Sequence, residues 1–190
     1  YYRCIQKGIN QSQSVTEARK VINRAMAEAN EYSLEICIET DKLFQNYVAH
    51  YGIDPQWEIL EVEISHDLPI DSEYTMPMRL DLLVRDRNTN EIILVDTKTC
   101  YDFFSDNKVA LYAQIPKYTG ALRFNGYEVS GVLLNMVRTR KIKNPVPEQL
   151  WRRQMVKPST AKIRRVLRDH ILVSEEITSY RAKPDTIRPQ

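Results

Sequence analysis

The stretch RLDLLVRDRNTNEIILVDTKT, residues 79–99, sets one carboxylate, Asp81, in an apolar run and places Asp96 and Lys98 in a second. Each run reads as a buried strand, and a buried charge is costly unless it is paired or holds a metal. The DRNTNE segment between them, residues 86–91, is rich in Asp and Asn and reads as a turn. Pairing of the two strands through that turn would let Asp81 and Asp96 converge. Asp96 and Lys98 are two apart and so share one face of their strand. Two carboxylates with a backbone carbonyl form a hard oxygen set suited to Mg²⁺ or Mn²⁺. A lysine beside such a cation can orient and help deprotonate the attacking water and stabilise charge on a phosphate. The alternative is a buried Asp–Lys ion pair with a second Asp capping a turn.

Around this stretch the pattern is helical, then stranded, then mixed. Residues 15–30 carry apolar side chains at helical spacing with Ser14 or Thr16 as cap, and residues 34–51 form a second such stretch ending at Gly52. Residues 57–65 alternate apolar and acidic as a half-buried strand, residues 68–77 read as a loop or hairpin connection, and residues 78–85 as a strand. Residues 91–99 hold four consecutive aliphatics, which suits a central strand covered on both faces. A helix over 108–124, a strand over 128–137, a loop at 144–149 and a long basic helix over 159–180 follow. The order implies a single α/β or α+β domain with a mixed sheet flanked by helices.

At 190 residues and 22.3 kDa the chain can bury a substantial core, and its composition is that of a globular protein. No apolar run suggests a membrane span, and the first residues do not look like a signal peptide. The absence of an initiator Met suggests a piece of something longer. Three scattered cysteines make a poor disulfide framework and suit a reducing cytoplasm. The net charge of +2 conceals an asymmetry: residues 28–73 hold twelve Asp or Glu against Lys42, and residues 138–168 hold eleven Lys or Arg against Glu148. An acidic half and a basic half suit an enzyme that binds both a cation and a polyanion, although two solvated faces would look the same. Arg138, Arg140, Lys141, Arg152 and Arg153 are candidate phosphate contacts, with Trp151 either a stacking platform for a base or a packing residue.

MRLDLLV…EIILVDTKT resembles the PD-(D/E)XK nuclease superfamily, Asp81 matching the lone acid and Asp96-Thr97-Lys98 the (D/E)-x-K element. The following YAQIPKYTGAL matches, at Gln114 and Tyr118, the Gln-x-x-x-Tyr motif of the RecB-like branch. The resemblance covers residues 57–137. It implies a restriction-endonuclease-like α/β fold and a metal-dependent deoxyribonuclease, RecB-like and exonucleolytic, serving recombination, repair or phage DNA processing. DNA and other subunits of a recombination or replication assembly are the implied partners, in the cytoplasm or at the nucleoid. The implied metal ligands are Asp81, Asp96 and Thr97, the cation being Mg²⁺ or Mn²⁺, and Lys98, Gln114 and Tyr118 complete the catalytic set. A further ligand from an earlier helix is expected at Glu39, with His50 and Glu63 as rivals. Pro116, between Gln114 and Tyr118, is expected to kink that helix. Some RecB-like nucleases hold an iron–sulfur cluster on one early and three late cysteines. YYRC resembles the early element, but no Cys follows Cys100, so these cysteines cannot build it. A catalytically silent DNA-binding or scaffold module of the same fold is the competing expectation.

Overall fold

The computed structural model describes residues 1–52, 54–69 and 75–181. Three helices come first: α1 (Tyr2–Gln6), α2 (Gln11–Glu28) and α3 (Glu31–Tyr51). Strands β1 (Trp57–Pro69), β2 (Thr75–Asp86) and β3 (Ile92–Cys100) follow, then α4 (Asp106–Leu111), α5 (Gln114–Phe124), β4 (Val129–Arg138), α6 (Pro147–Leu150), β5 (Trp151–Val156) and α7 (Thr160–Arg181). The expected mixed α/β architecture is observed. One five-stranded sheet runs β1-β2-β3-β4-β5, with only β3 and β4 parallel, because the α4–α5 segment carries the chain back across one face between them. Among the described residues, no helix is long and apolar enough to cross a membrane.

Local chemistry sets the element ends. Asn10 and Asn30, rather than Ser14 or Thr16, cap α2 and α3, their side chains accepting from Gln13 N and Ser33 N. Ser14 instead lies buried and donates to the Ile9 carbonyl. The connection expected over 68–77 is largely strand at both ends, and its middle lies outside the described residues. The single helix expected over 108–124 is two helices, and Pro116 explains the break. A proline ring clashes with the carbonyl four residues earlier, here that of Tyr112, and Tyr112 turns extended at ψ 99°. The proline then occupies the third position of α5, where no intrahelical N–H bond is lost. It starts a helix rather than kinking one.

The sheet is covered on both faces. Leu80, Leu94, Leu134 and Met136 pack with Ile115 and Leu122 of α5, and α7 lies over α5. Trp57, Val84, Ile93 and Val95 form a second cluster on the opposite face, against Tyr2 of α1. That face also holds a buried charge network. Arg153 of β5 donates to both oxygens of Asp54, at 2.5 and 2.8 Å, and to the Tyr47 hydroxyl of α3 at 2.8 Å. Its guanidinium lies 3.7 Å from the centroid of the Tyr51 ring and 4.7 Å from that of Trp57. The Tyr2 hydroxyl donates to Asp54 as well, so one ion pair ties α1, α3 and β5 together.

This corrects the sequence reading of Arg153 and decides between the two readings of Trp151. Arg153 is an internal cation rather than a phosphate contact, and Trp151, only 4% exposed, is a packing residue with one ring face on His50. The strand that carries both was not expected, because WRRQMV has the charge of a surface segment.

Arg153→Met is expected to destabilise the fold by about 3–5 kcal/mol, since it leaves Asp54 buried and unpaired. The double variant Asp54→Asn/Arg153→Met should recover most of that loss in urea unfolding, since Asn tolerates the left-handed φ of 50° at residue 54. A single variant within about 0.5 kcal/mol of wild type would show that the pair does not hold these elements together.

Candidate active site

Asp81 sits where β2 stops behaving as a regular strand. The β1–β2 ladder pairs Val62 with Leu82 and Ile64 with Leu80 but omits Glu63 and Asp81 between them. Glu63 has a left-handed φ of 51°, a costly conformation for a residue with a side chain. Leu80 and Leu82, two apart, join opposite core clusters, so the strand turns over at Asp81. The β2–β3 ladder runs from Arg85↔Ile92 to Leu82↔Val95 and ends there, and Asp81 and Asp96 occupy the next position on each side. Beyond it the two strands fork. The Asp81 carboxylate spans the fork and accepts the Thr97 backbone N–H at 2.8 Å, replacing the lost ladder bond.

Asp96 and Lys98 share the face turned to α5, as their spacing implies. Asp96 is 4% exposed and accepts from Lys98 Nζ at 2.9 Å. Burial pushes the Asp96 carboxyl up from the ordinary carboxylate range, the Lys98 hydrogen bond and charge pull it back, and the charge of Asp81 adds to the rise. For Lys98, burial works to lower the ammonium's pKa, but its hydrogen bond to Asp96 and the surrounding negative charge outweigh this and leave it raised. Lys98 therefore stays an ammonium at neutral pH.

The break before α5 supplies the rest of this face. Lys98 Nζ lies 5.9 Å from the centre of the Tyr112 ring, the Tyr112 hydroxyl donates to Gln114 Oε1 at 2.6 Å, and Gln114 Nε2 donates to the Tyr118 hydroxyl. Gln114 and Tyr118 are thus joined, one helical turn apart, and linked to Lys98 through Tyr112. Tyr112 escaped the sequence reading, and its position beside the helix-breaking Pro116 is the signal that could have found it.

The expected helix-borne ligand does not join this group. Glu39 pairs with Lys141 at 3.0 Å on the exposed side of α3, and His50 stacks on Trp151. Glu63 comes nearest among the three: it lines one small cleft with Asp81 and Thr97, although Arg3 and Arg79 both pair with it. Among the described residues, no group of three or more His, Cys, Asp and Glu is gathered closely enough to hold a metal. A cation here would rest on Asp81, Asp96 and the Thr97 carbonyl. That set fits Mg²⁺ or Mn²⁺ by donor chemistry: the Asp81 charge adds to the cost of ionising the buried Asp96, which a divalent charge would relieve, and Mg²⁺ commonly keeps several waters beside one or two carboxylates.

The basic segment is less free than its composition implies. Arg138 and Arg140 both reach Asp102, at 3.5 and 3.6 Å, and Arg138 also packs over Phe103. Lys141 takes Glu35 and Glu39, Arg152 approaches Asp106 at 3.8 Å, and Lys157 takes Glu91. The pairs made by Lys141 and by Arg153 join the acidic segment to the basic one, so part of the charge asymmetry is internal complementarity.

No family model matches the chain, and no curated protein matches it. Among solved structures it is similar to the crystal structure of SSO0001, at 16% identity and a TM-score of 0.41, over 80% of this chain and 69% of that one.

Lys98→Met is expected to raise the Asp96 pKa further, since it removes the hydrogen bond and charge that oppose burial. A carboxylic acid whose pKa is raised on folding binds protons more tightly in the folded state. Stability from Asp96 is therefore greatest below its unfolded pKa and falls as pH rises through the folded one, and this window widens upward in the variant. Carboxyl ¹³C shifts of Asp96 across pH 3–8 read both values, and an unchanged or lower midpoint in Lys98→Met would contradict the pairing.

Proposed function

We propose that the chain is a metal-dependent deoxyribonuclease of the RecB-like type, hydrolysing phosphodiesters at the fork between β2 and β3. One observation carries the reading: Asp81 and Asp96 stand across the point where the strands part, with Lys98 bonded to the buried acid at 2.9 Å. Asp81, Asp96 and the Thr97 carbonyl are the groups that would hold Mg²⁺ or Mn²⁺. When bound, such a cation supplies charge that polarises a phosphodiester oxygen and lowers the pKa of a water.

The side chains supply the remainder. Lys98, held as an ammonium, donates to water and to a non-bridging phosphate oxygen, and acts by charge and position rather than as the base. Asp96 keeps Lys98 in place, while Tyr112, Gln114 and Tyr118 brace that face through linked hydrogen bonds. Asp81 fixes the Thr97 peptide, and with it the direction of the Thr97 carbonyl. Hydrolysis adds water across one P–O bond, with inversion expected at phosphorus for a direct attack. Arg138 and Arg140 offer charge to the flanking phosphates, Arg140 being the more exposed of the two. An exonuclease of this kind would serve recombination, repair or phage DNA processing.

The test is cleavage of end-labelled linear and circular DNA, single- and double-stranded, with Mg²⁺, Mn²⁺ or EDTA. Cutting by the wild type is expected with either metal and not with EDTA, with circles spared. Lys98→Ala should lose about a hundredfold to a thousandfold in rate, and Asp96→Ala at least as much. Binding without cutting under every metal would contradict the catalytic reading and favour the scaffold.

A further inference from the structure

The cleft at Asp81 borders a second space on the opposite side of β3 from Lys98. Tyr1, Tyr2 and Thr97 line both the cleft and a cavity of about 370 Å³ that lies between α1, α3 and the surface of β3 and β4. This is within the size range of sites for small organic groups. Its wall is aromatic, built from the two tyrosines with Phe44, Tyr47 and Trp151, and its floor carries the side chains of Thr97, Thr99 and Asn135. Among the described residues, no Asp, Glu, Lys or Arg lines it.

The lining selects its occupant. An uncharged wall gives a phosphate nothing to pair with, whereas the fork beside it is charged. An acyl chain would fill the space but leave hydroxyl and amide groups facing hydrocarbon. A neutral planar heterocycle with polar edges satisfies both surfaces: its face meets the rings, and its edge meets the threonines and the amide. The rings are already held for this, since the Tyr1 hydroxyl donates to the Gly52 carbonyl and the Tyr2 hydroxyl donates to Asp54, each at 3.1 Å.

We propose that the cavity receives one nucleobase of the strand bound at Asp81 and Asp96, drawn out of its stack while the backbone phosphates stay at the fork. The inference rests on the nuclease reading and gives it a substrate preference: an unpaired strand or a frayed end, whose bases cost least to extrude. The cavity recognises the base by stacking and so tolerates any of the four.

The test uses single-stranded oligonucleotides in which one abasic position is moved stepwise past the scissile phosphate, with wild type and the cavity-filling variant Leu43→Trp. Leu43 lines the cavity from α3 and belongs to no part of the charged site. In the wild type, loss of the base at one position near the cut is expected to weaken binding about tenfold to a hundredfold. Leu43→Trp should bind the intact strand that much more weakly and show no positional dependence. Cleavage by a wild type that responds equally to every abasic position would overturn the base cavity and leave the nuclease reading intact. Equilibrium dialysis of labelled thymidine or adenosine, done without metal, separates the two further. Retention by the wild type but not by Leu43→Trp supports the cavity even where no DNA is cut. No retention of nucleosides, or retention of laurate alone, overturns it.

Discussion

One hydrogen bond carries more of this site than its length suggests, the one from the Thr97 N–H to the Asp81 carboxylate across the opening of two strands. Where a ladder stops, the next donors and acceptors lose their strand partners. Here a side chain completes the pairing, and in doing so it is fixed next to the buried Asp96. The left-handed Glu63 and the turn-over of β2 are the local costs of presenting Asp81 in that way. The proposed hydrolysis depends on that fork.

The opposite face of the sheet is organised by charge as well. Asp54 and Arg153 are buried, mutually satisfied and enclosed by tyrosines and Trp57, which is the condition under which an internal ion pair is tolerable. The network reaches the site through the sheet: Arg153 contacts the Asn135 side-chain oxygen at 3.4 Å, and the Asn135 amide donates to the Thr97 hydroxyl at 3.3 Å. Thr97 is thus held from both sides, by its hydroxyl on one face and by its peptide at the fork.

Much of this was legible in the residues because it follows from short-range rules. Apolar runs and the Asp/Asn-rich turn located β2 and β3, alternation located β1, and the two-residue spacing put Asp96 and Lys98 on one face. The misses have physical causes of the opposite kind. β5 was hidden because Trp151 and Arg153 are buried by partners far away in sequence, Tyr47, His50 and Asp54, so a charged strand looked like a surface. Pro116 implied a kink, whereas its clash with the carbonyl four residues before splits the helix at Tyr112, and so Tyr112 was overlooked. Glu39 matched a helix position by spacing alone, and spacing could not register that Lys141 lies against it.

The sharing of one divalent cation by Asp81 and Asp96 is most directly read by adding Mn²⁺ to the uniformly labelled protein and following paramagnetic broadening of its backbone amides. Broadening that begins at residues 81 and 96–98, saturates with one ion and disappears in Asp96→Asn is the result that sharing requires. Broadening that starts instead along the acidic helix around Glu35 and Glu39, unchanged by Asp96→Asn, would mean that the fork is an ion pair and a capped strand end with no metal chemistry.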